Sequence, residues 1–350
     1  MKILIVKTSA IGDVIHTLPA LHCLRRRYPE AEITWLVEEA AAEVVVGHPA
    51  LDRVLVAGRK GWLREWRAGE RRAACRKAWH FLRELRDTRY DLLLDFQGLL
   101  KSGIWVALAR ARRKVGFGRG MEHAEMSYIF LNERIPAVSM EMHAVDRELH
   151  LLRAIGIECP EARFDLPLTA ADHEAAAKLL EAHGIAAGQP FIAINPMTTW
   201  PTKHWRPEKF AELADRLAEA GKAVVFTGGP DDRAGVAAIG AMMRQPPVNL
   251  AGATSLKGLA ALFARAQAVV STDTGPMHVA AAVGTPVVAL FGPTAPWRTG
   301  PYGVQHQVVR LGLACSPCLK KQCQLATTAC MADIPVIKVA QAVMQISGEA

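Results

Sequence analysis

The sequence predicts an α/β protein built from two doubly wound parallel-sheet domains, and three observations predict it. Short apolar runs of strand length alternate with stretches whose apolar residues recur at helical spacing. The alternation weakens from about Cys159, where Pro160, Pro167, Gly184, Gly188 and Pro190 punctuate the chain, and then starts again. Most strand runs open into a polar turn, the place where open α/β sheets bind ligands. The expected domains span residues 1–170 and 185–333, with a final helix near 334–348 able to pack back on the first.

In the first half, residues 3–6 read as a buried strand and 8–13 as a polar turn. Val14, Leu18, Leu21 and Leu24 then carry a helix over 14–27. Further strands are expected at 33–37, 54–56 and 92–95, with helical stretches between them. The second half reads as strand 191–195, helix 207–220, strand 223–227, helix 256–266, strand 268–271, helix 277–283 and strand 286–291.

Hydrophobic residues make up 51% and charged residues 22% of 350, which supports packed cores and argues against disorder. No stretch offers the ~18 uncharged apolar residues of a spanning helix. Residues 1–6 are too short for a signal-peptide core, so the expected location is cytoplasmic. The net charge is +8, and from Arg59 to Arg89 eleven Lys or Arg stand against four acids. Such an excess in one segment suits an anionic partner such as phosphate-rich lipid, nucleic acid or an acidic sugar; the plain alternative is a solvated helix face.

The strand-end turns hold the candidate chemistry. After strand 268–271 come Thr272, Asp273, Thr274, Gly275, Pro276, Met277 and His278. Here a helix start offers unpaired N–H groups to an anion, and Gly275 lets the backbone come close. After strand 191–195, Thr198 and Thr199 supply hydroxyls and Lys203 a point charge suited to a departing phosphate. Asp231 and Asp232 follow the third strand and could take ribose hydroxyls, with helix capping as the rival reading. In the first half, Asp13 sits at a helix start as an available general base, and Asp95, Gln97 and Lys101 mix acid, amide and cation at one strand end.

Absent motifs narrow the classes. There is no Asp-x-Asp to hold a metal on a diphosphate and no P-loop. Gly116, Gly118 and Gly120 precede no clear apolar helix, which excludes a dehydrogenase fingerprint. Cys315, Cys318, Cys323 and Cys330 form C-x2-C-x4-C-x6-C, a spacing that fits a structural zinc or iron–sulfur site, against plain thiols; Cys23, Cys75 and Cys159 are scattered singles.

Taken together, the motifs resemble the bacterial lipopolysaccharide heptosyltransferases. The ordered series is Lys7 to Val14, Asp95 to Ser102, His143 to Arg147, Thr198 to Trp205, Ser271 to His278, Ala289 to Thr294 and Gly300 to Gly303. The Asp-Phe-Gln-Gly-Leu-Leu-Lys-Ser segment points to the heptosyltransferase I branch, with heptosyltransferase II its neighbour. The resemblance implies a GT-B fold, two Rossmann-like domains facing across a cleft. It also implies inverting, metal-free transfer of L-glycero-D-manno-heptose from ADP-heptose to the Kdo of a Kdo2-lipid A acceptor. Asp13 is then the base and Lys203 the leaving-group stabiliser. Thr198, Thr199, Asp273, Thr274, Gly275, Met277 and His278 hold the donor, and Asp231 or Asp232 its ribose. Lys7, Asp95, Gln97, Lys101, Arg64 and Arg67 are expected on the acceptor side. Trp62 and Trp66, four residues apart among arginines, suit a membrane interface. The expected state is a monomer, peripheral on the cytoplasmic face of the inner membrane, with an anionic membrane surface and no nucleic acid as partner. Rival readings are a sugar-nucleotide epimerase and a non-catalytic sugar-nucleotide or metal-binding protein.

Overall fold

A computed structural model describes residues 1–121 and 125–348, which divide into two compact units, 1–167 and 168–350. The first unit runs β1 (Lys2–Val6), α1 (Ile11–Arg27), β2 (Glu32–Glu38), β3 (Arg53–Ala57), α2 (Arg59–Arg67), α3 (Arg71–Arg86), β4 (Arg89–Asp95), α4 (Leu100–Leu108), β5 (Arg110–Phe117), β6 (Glu133–Ile135) and α5 (Ala144–Ala154). Its strands pair in parallel in the order β3-β2-β1-β4-β5-β6. The order reverses between β1 and β4, where Val6 pairs with Asp95, so the turns after these two strands flank the crevice in which such sheets take ligands. β1 is central and covered on both faces, which is why Ile3, Leu4, Ile5 and Val6 form an unbroken apolar run.

One face of this sheet is covered by α1 and α5 and the other by α2, α3, α4 and a 3-10 turn, Ser127–Phe130. On the latter face, Phe81, Leu85 and Val106 pack over Leu4, Val6 and Leu93. Trp62 joins them, its ring 5.5 Å from Phe81 and 6.3 Å from Trp105. It is thus a packing residue, and of the expected interfacial pair only Trp66 is exposed, with the Arg71 guanidinium 5.5 Å from its ring. The Cys23 and Cys159 sulfurs, read as singles, come together as a disulfide with Cα atoms 5.5 Å apart.

The second unit runs α6 (Ala170–Ala182), β7 (Phe191–Asn195), α7 (Pro207–Glu219), β8 (Ala223–Phe226), α8 (Arg233–Gly240), β9 (Val248–Asn249), α9 (Leu256–Phe263), β10 (Ala268–Thr272), α10 (Gly275–Ala282), β11 (Val287–Leu290) and β12 (Gln307–Val309). The parallel order β12-β11-β10-β7-β8-β9 repeats that of the first unit, with the reversal between β7 and β10. The C-terminal helix, Val336–Ile346, is part of this unit's core: Val339 and Val343 are buried beside α7 and the sheet.

The sequence reading names none of β6, α5, α8, β9 and β12, nor α6 and β5. The punctuated stretch contains α6, started by a reciprocal cap in which Asp172 Oδ2 accepts the Thr169 N–H (2.8 Å) and Thr169 Oγ1 accepts that of Asp172 (3.3 Å). Its alanine-rich stripe is too weak to show as periodicity. β5 escapes because Arg110, Arg112 and Arg113 are exposed, Lys114 is half-buried with its Nζ donating to Val106 O (2.6 Å), and only Val115 and Gly116 are buried.

Candidate functional site

At the first crevice, α1 begins at Ile11, three residues earlier than its apolar spacing indicates. Asp13 lies in its first turn and accepts the Ala10 N–H through Oδ2 (2.9 Å). The turn between β1 and α1 is pinned by Gln97, whose Oε1 accepts the N–H of Thr8 (2.9 Å) and of Ser9 (3.0 Å). Gln97 therefore shapes the turn with its carbonyl, a scaffolding task its sequence position does not reveal. Lys101 Nζ donates to Ser9 Oγ (2.5 Å). Asp13, Lys7, Asp95 and Gln97 line one cavity of about 290 Å³ together with Arg147 and Glu148. Arg64 and Arg67 lie on the exposed side of α2 and do not line it.

Lys7 is buried at the end of β1, and its Nζ donates to Glu148 Oε1 (2.6 Å) and Phe96 O (3.0 Å). Burial works against its charge, yet the carboxylates of Glu148 and Asp13 outweigh burial and hold its pKa above the ordinary lysine value. Burial pushes the Glu148 carboxyl up, against the pull of Lys7. Asp95 Oδ1 accepts the N–H groups of Gln97 and Gly98 (both 3.1 Å), while Oδ2 is buried without a hydrogen-bond partner among the described residues. Burial raises Asp95 to about 6, opposed by those two N–H groups and by Lys7. The cavity thus carries a buried carboxylate oxygen with unused accepting capacity, which suits a hydroxyl-rich ligand.

Glu148 in this cavity, like Lys321 at the second crevice, is a residue that sequence reasoning missed. It follows the His143–Arg147 motif by one position, and α5 starts at that motif, where His143 Nδ1 accepts the Val145 N–H (3.2 Å). The available signal was periodicity, since Val145, Glu148, Leu149 and Leu152 form one buried stripe with an acid inside it.

At the second crevice, Lys203 and Asp273 arrive from the turns after β7 and β10. Lys203 Nζ lies 2.7 Å from Asp273 Oδ2 and 3.2 Å from the Asp273 carbonyl oxygen. The Trp200 ring has Lys203 at 4.5 Å and Lys321 at 5.2 Å from its centroid, two cations on one aromatic residue. Thr198 is half-buried and Thr199 exposed in the same turn. α10 starts at Gly275 with Thr274 as its capping residue, which points the first N–H groups of the helix out of the strand end. Met277 and His278 are buried in α10, Met277 completely, so its side chain serves the core rather than the turn. Asp232 Oδ2 accepts the Gly229 N–H (2.7 Å), the capping role, and leaves Asp231 as the exposed acid of the pair.

The cysteine segment braces this site. Thr202 Oγ1 donates to Lys320 O (2.8 Å) and Leu319 N to Pro293 O (2.7 Å), so the segment ties the Lys203 turn to the end of β11 and delivers Lys321. Burial raises the Cys330 thiol, with Cys318, Cys315 and Cys323 adding to it, whereas backbone N–H groups of Thr328 and Leu325 lower that of Cys323. The four sulfurs are nonetheless not gathered as ligands. Among the described residues no three His, Cys, Asp or Glu side chains are grouped to hold a metal ion. The expected zinc or iron–sulfur site has no support in this arrangement.

Two Rossmann-ordered sheets, one with an acid-rich cavity and one with a lysine beside a helix start, define a GT-B glycosyltransferase. The family model of glycosyltransferase family 9, the heptosyltransferases, matches residues 78–329, and the chain belongs to that family. It is 37% identical to lipopolysaccharide heptosyltransferase 1 of Pseudomonas aeruginosa, over 94% of this chain and 89% of the relative. E. coli heptosyltransferase WaaC, solved with ADP, is 30% identical with a TM-score of 0.71, covering 88% of this chain and 92% of that one. The same enzyme with ADP-2-deoxy-2-fluoro heptose is 29% identical with a TM-score of 0.71, over 89% and 93%. The protein is a heptosyltransferase.

Proposed function

We propose that this enzyme moves L-glycero-D-manno-heptose from ADP-heptose to the Kdo of a lipid A-Kdo2 acceptor in lipopolysaccharide inner-core synthesis, with inversion and without a metal. The observation that carries the reading is the Lys203–Asp273 pair beside the start of α10, a cation and a set of N–H groups placed for a diphosphate. The relative solved with ADP and with an ADP-heptose analogue supports that donor.

In this reading the acceptor hydroxyl oxygen forms a bond to the anomeric carbon as the bond from that carbon to the phosphate oxygen breaks. The bonding pair leaves with ADP, and Lys203, with the N–H groups of Thr274 and Gly275, takes up the charge. The hydroxyl proton passes to Asp13, whose first-turn position leaves Oδ1 for the acceptor. Asp95 and Lys7 orient the acceptor sugar, Thr198, Thr199 and Lys321 bind the diphosphate end, and Asp231 takes the ribose.

The test is ADP release from ADP-heptose with Kdo2-lipid A, with heptosyl-Kdo2-lipid A, and with neither. Stimulation by the first alone is expected, and the rate should persist in EDTA. Stimulation by the second alone reassigns the enzyme to transfer onto the first heptose, and stimulation by neither overturns the reading.

A further inference from the structure

All helices covering one face of the first sheet share an unusual outer surface. Among the described residues of this unit, ten large apolar side chains are exposed, and seven belong to this layer: Leu63, Trp66, Trp79, Leu100, Ile104, Met126 and Ile129. Trp79 and Met126 are 63% and 58% exposed. α1 and α5, on the opposite face, expose none of the ten.

The seven come from elements in direct contact. Trp105 of α4 packs on Phe81 of α3, with ring centroids 5.0 Å apart. The turn Ser127–Phe130 lies so close on α4 that a Cβ at Gly103 would stand 2.9 Å from the Phe130 ring. Leu100 and Ile104 lie one turn apart on α4, and Met126 and Ile129 one turn apart on the segment packed beside it.

Charge is interleaved with these residues. Trp79 shares the exposed row of α3 with Arg72, Arg76 and Arg83, and α2 adds Lys60, Arg64 and Arg67. The core of a protein–protein interface is depleted in charge, so this mixture argues against a protein partner. Aromatic and aliphatic side chains set among arginines suit the boundary between lipid headgroups and acyl chains, the apolar groups entering and the cations meeting phosphates.

We propose that this face, the outer surface of α2, α3, α4 and the Ser127–Phe130 turn, docks on an anionic lipid bilayer. The docking residues thereby differ from the Trp62 and Trp66 pair, because Trp62 is spent on the core and the α4 side supplies more of the apolar surface. The position also has a consequence for the reaction, which rests on the glycolipid-acceptor reading. Gln97, Gly98 and Leu99 line the acceptor cavity and Leu100 opens α4, so the docked strip runs from the rim of the cavity.

The test is co-sedimentation of the full chain with phosphatidylcholine vesicles and with vesicles containing phosphatidylglycerol, without donor or acceptor. Binding to the anionic vesicles only is expected, weakened about tenfold in a W79S/I104S/I129S variant and in R72E/R76E. Circular dichroism, together with turnover on a deacylated, water-soluble acceptor, should match the parent. Equal binding by parent and variants overturns the proposal, as does binding that appears only when the glycolipid acceptor is present, since the acceptor's own chains would then be the anchor. Vesicle binding with no transfer to any acceptor would fail the functional reading and leave the surface standing.

Discussion

Lys203 Nζ and Asp273 Oδ2 are 2.7 Å apart at the reversal point of the second sheet, with side chains only 14% and 8% exposed. The pair explains how a sheltered lysine waits for an anionic ligand. Asp273 balances its charge beforehand, and Trp200 fixes one side of the ammonium. Under the proposed function, a diphosphate arriving at α10 shares or takes over a cation that is already in position, so little reorganisation is needed.

Lys203→Ala should therefore lower kcat by about 100-fold, the order seen when one donor to developing charge is removed. Lys203→Arg should recover only part, because a planar fork does not fill the place of a compact ammonium. Steady-state ADP release measures both. A raised KM with kcat unchanged would show that Lys203 binds donor and transition state equally, and would remove it as leaving-group stabiliser.

Asp13→Asn keeps the shape of the first turn of α1 and removes the proposed base. A loss of about 100- to 10,000-fold in kcat is expected, with donor affinity by calorimetry unchanged because the residues proposed to bind the donor lie in the second unit. Turnover at the parent rate would leave Asp13 with its capping bond to Ala10 as its only role.

The sequence shows the parallel architecture well because central strands such as β1 and β7 are unbroken apolar runs. It also points to Lys203, Asp273 and Asp13, since each stands between such a run and the next helix or in that helix's first turn. What it conceals depends on packing. Whether Trp62 or Trp66 points inward is decided by Phe81 and Trp105, which come from α3 and α4. Whether Gln97 meets a ligand or the backbone is decided by a turn 88 residues away. The four cysteines show the limit of spacing as evidence, because among the described residues no three potential ligands are grouped to hold a metal ion.

Asp95 gives a prediction with a definite sign. Burial raises its folded-state pKa from 3.8 to about 6, so the folded chain holds this proton more tightly than the unfolded chain. Its stabilising contribution is complete below about pH 4 and falls as pH rises through about 6, by about 3 kcal/mol in all. Asp95→Asn stays uncharged, so its Tm relative to the parent should climb between about pH 4 and pH 7 and then level off. A Tm difference that does not vary with pH would mean that Asp95 keeps an ordinary carboxylate pKa.

The Lys7–Glu148 pair allows the structural and acceptor roles of Lys7 to be separated. Both side chains are buried and 2.6 Å apart, so removing either leaves the other as an uncompensated charge. Lys7→Met and Glu148→Gln should each cost about 3–5 kcal/mol of unfolding free energy, whereas the Lys7→Met/Glu148→Leu variant should recover most of it. Urea denaturation of the variants measures the coupling, and additive losses would show that the two groups do not depend on each other. Restored stability does not restore the cavity wall, because the ammonium that Lys7 presents beside Asp13 and Asp95 is still missing. The refolded double variant should thus keep a raised acceptor KM. If acceptor kinetics return together with stability, Lys7 is a structural cation, and orientation of the acceptor falls to Asp95 and the groups around it.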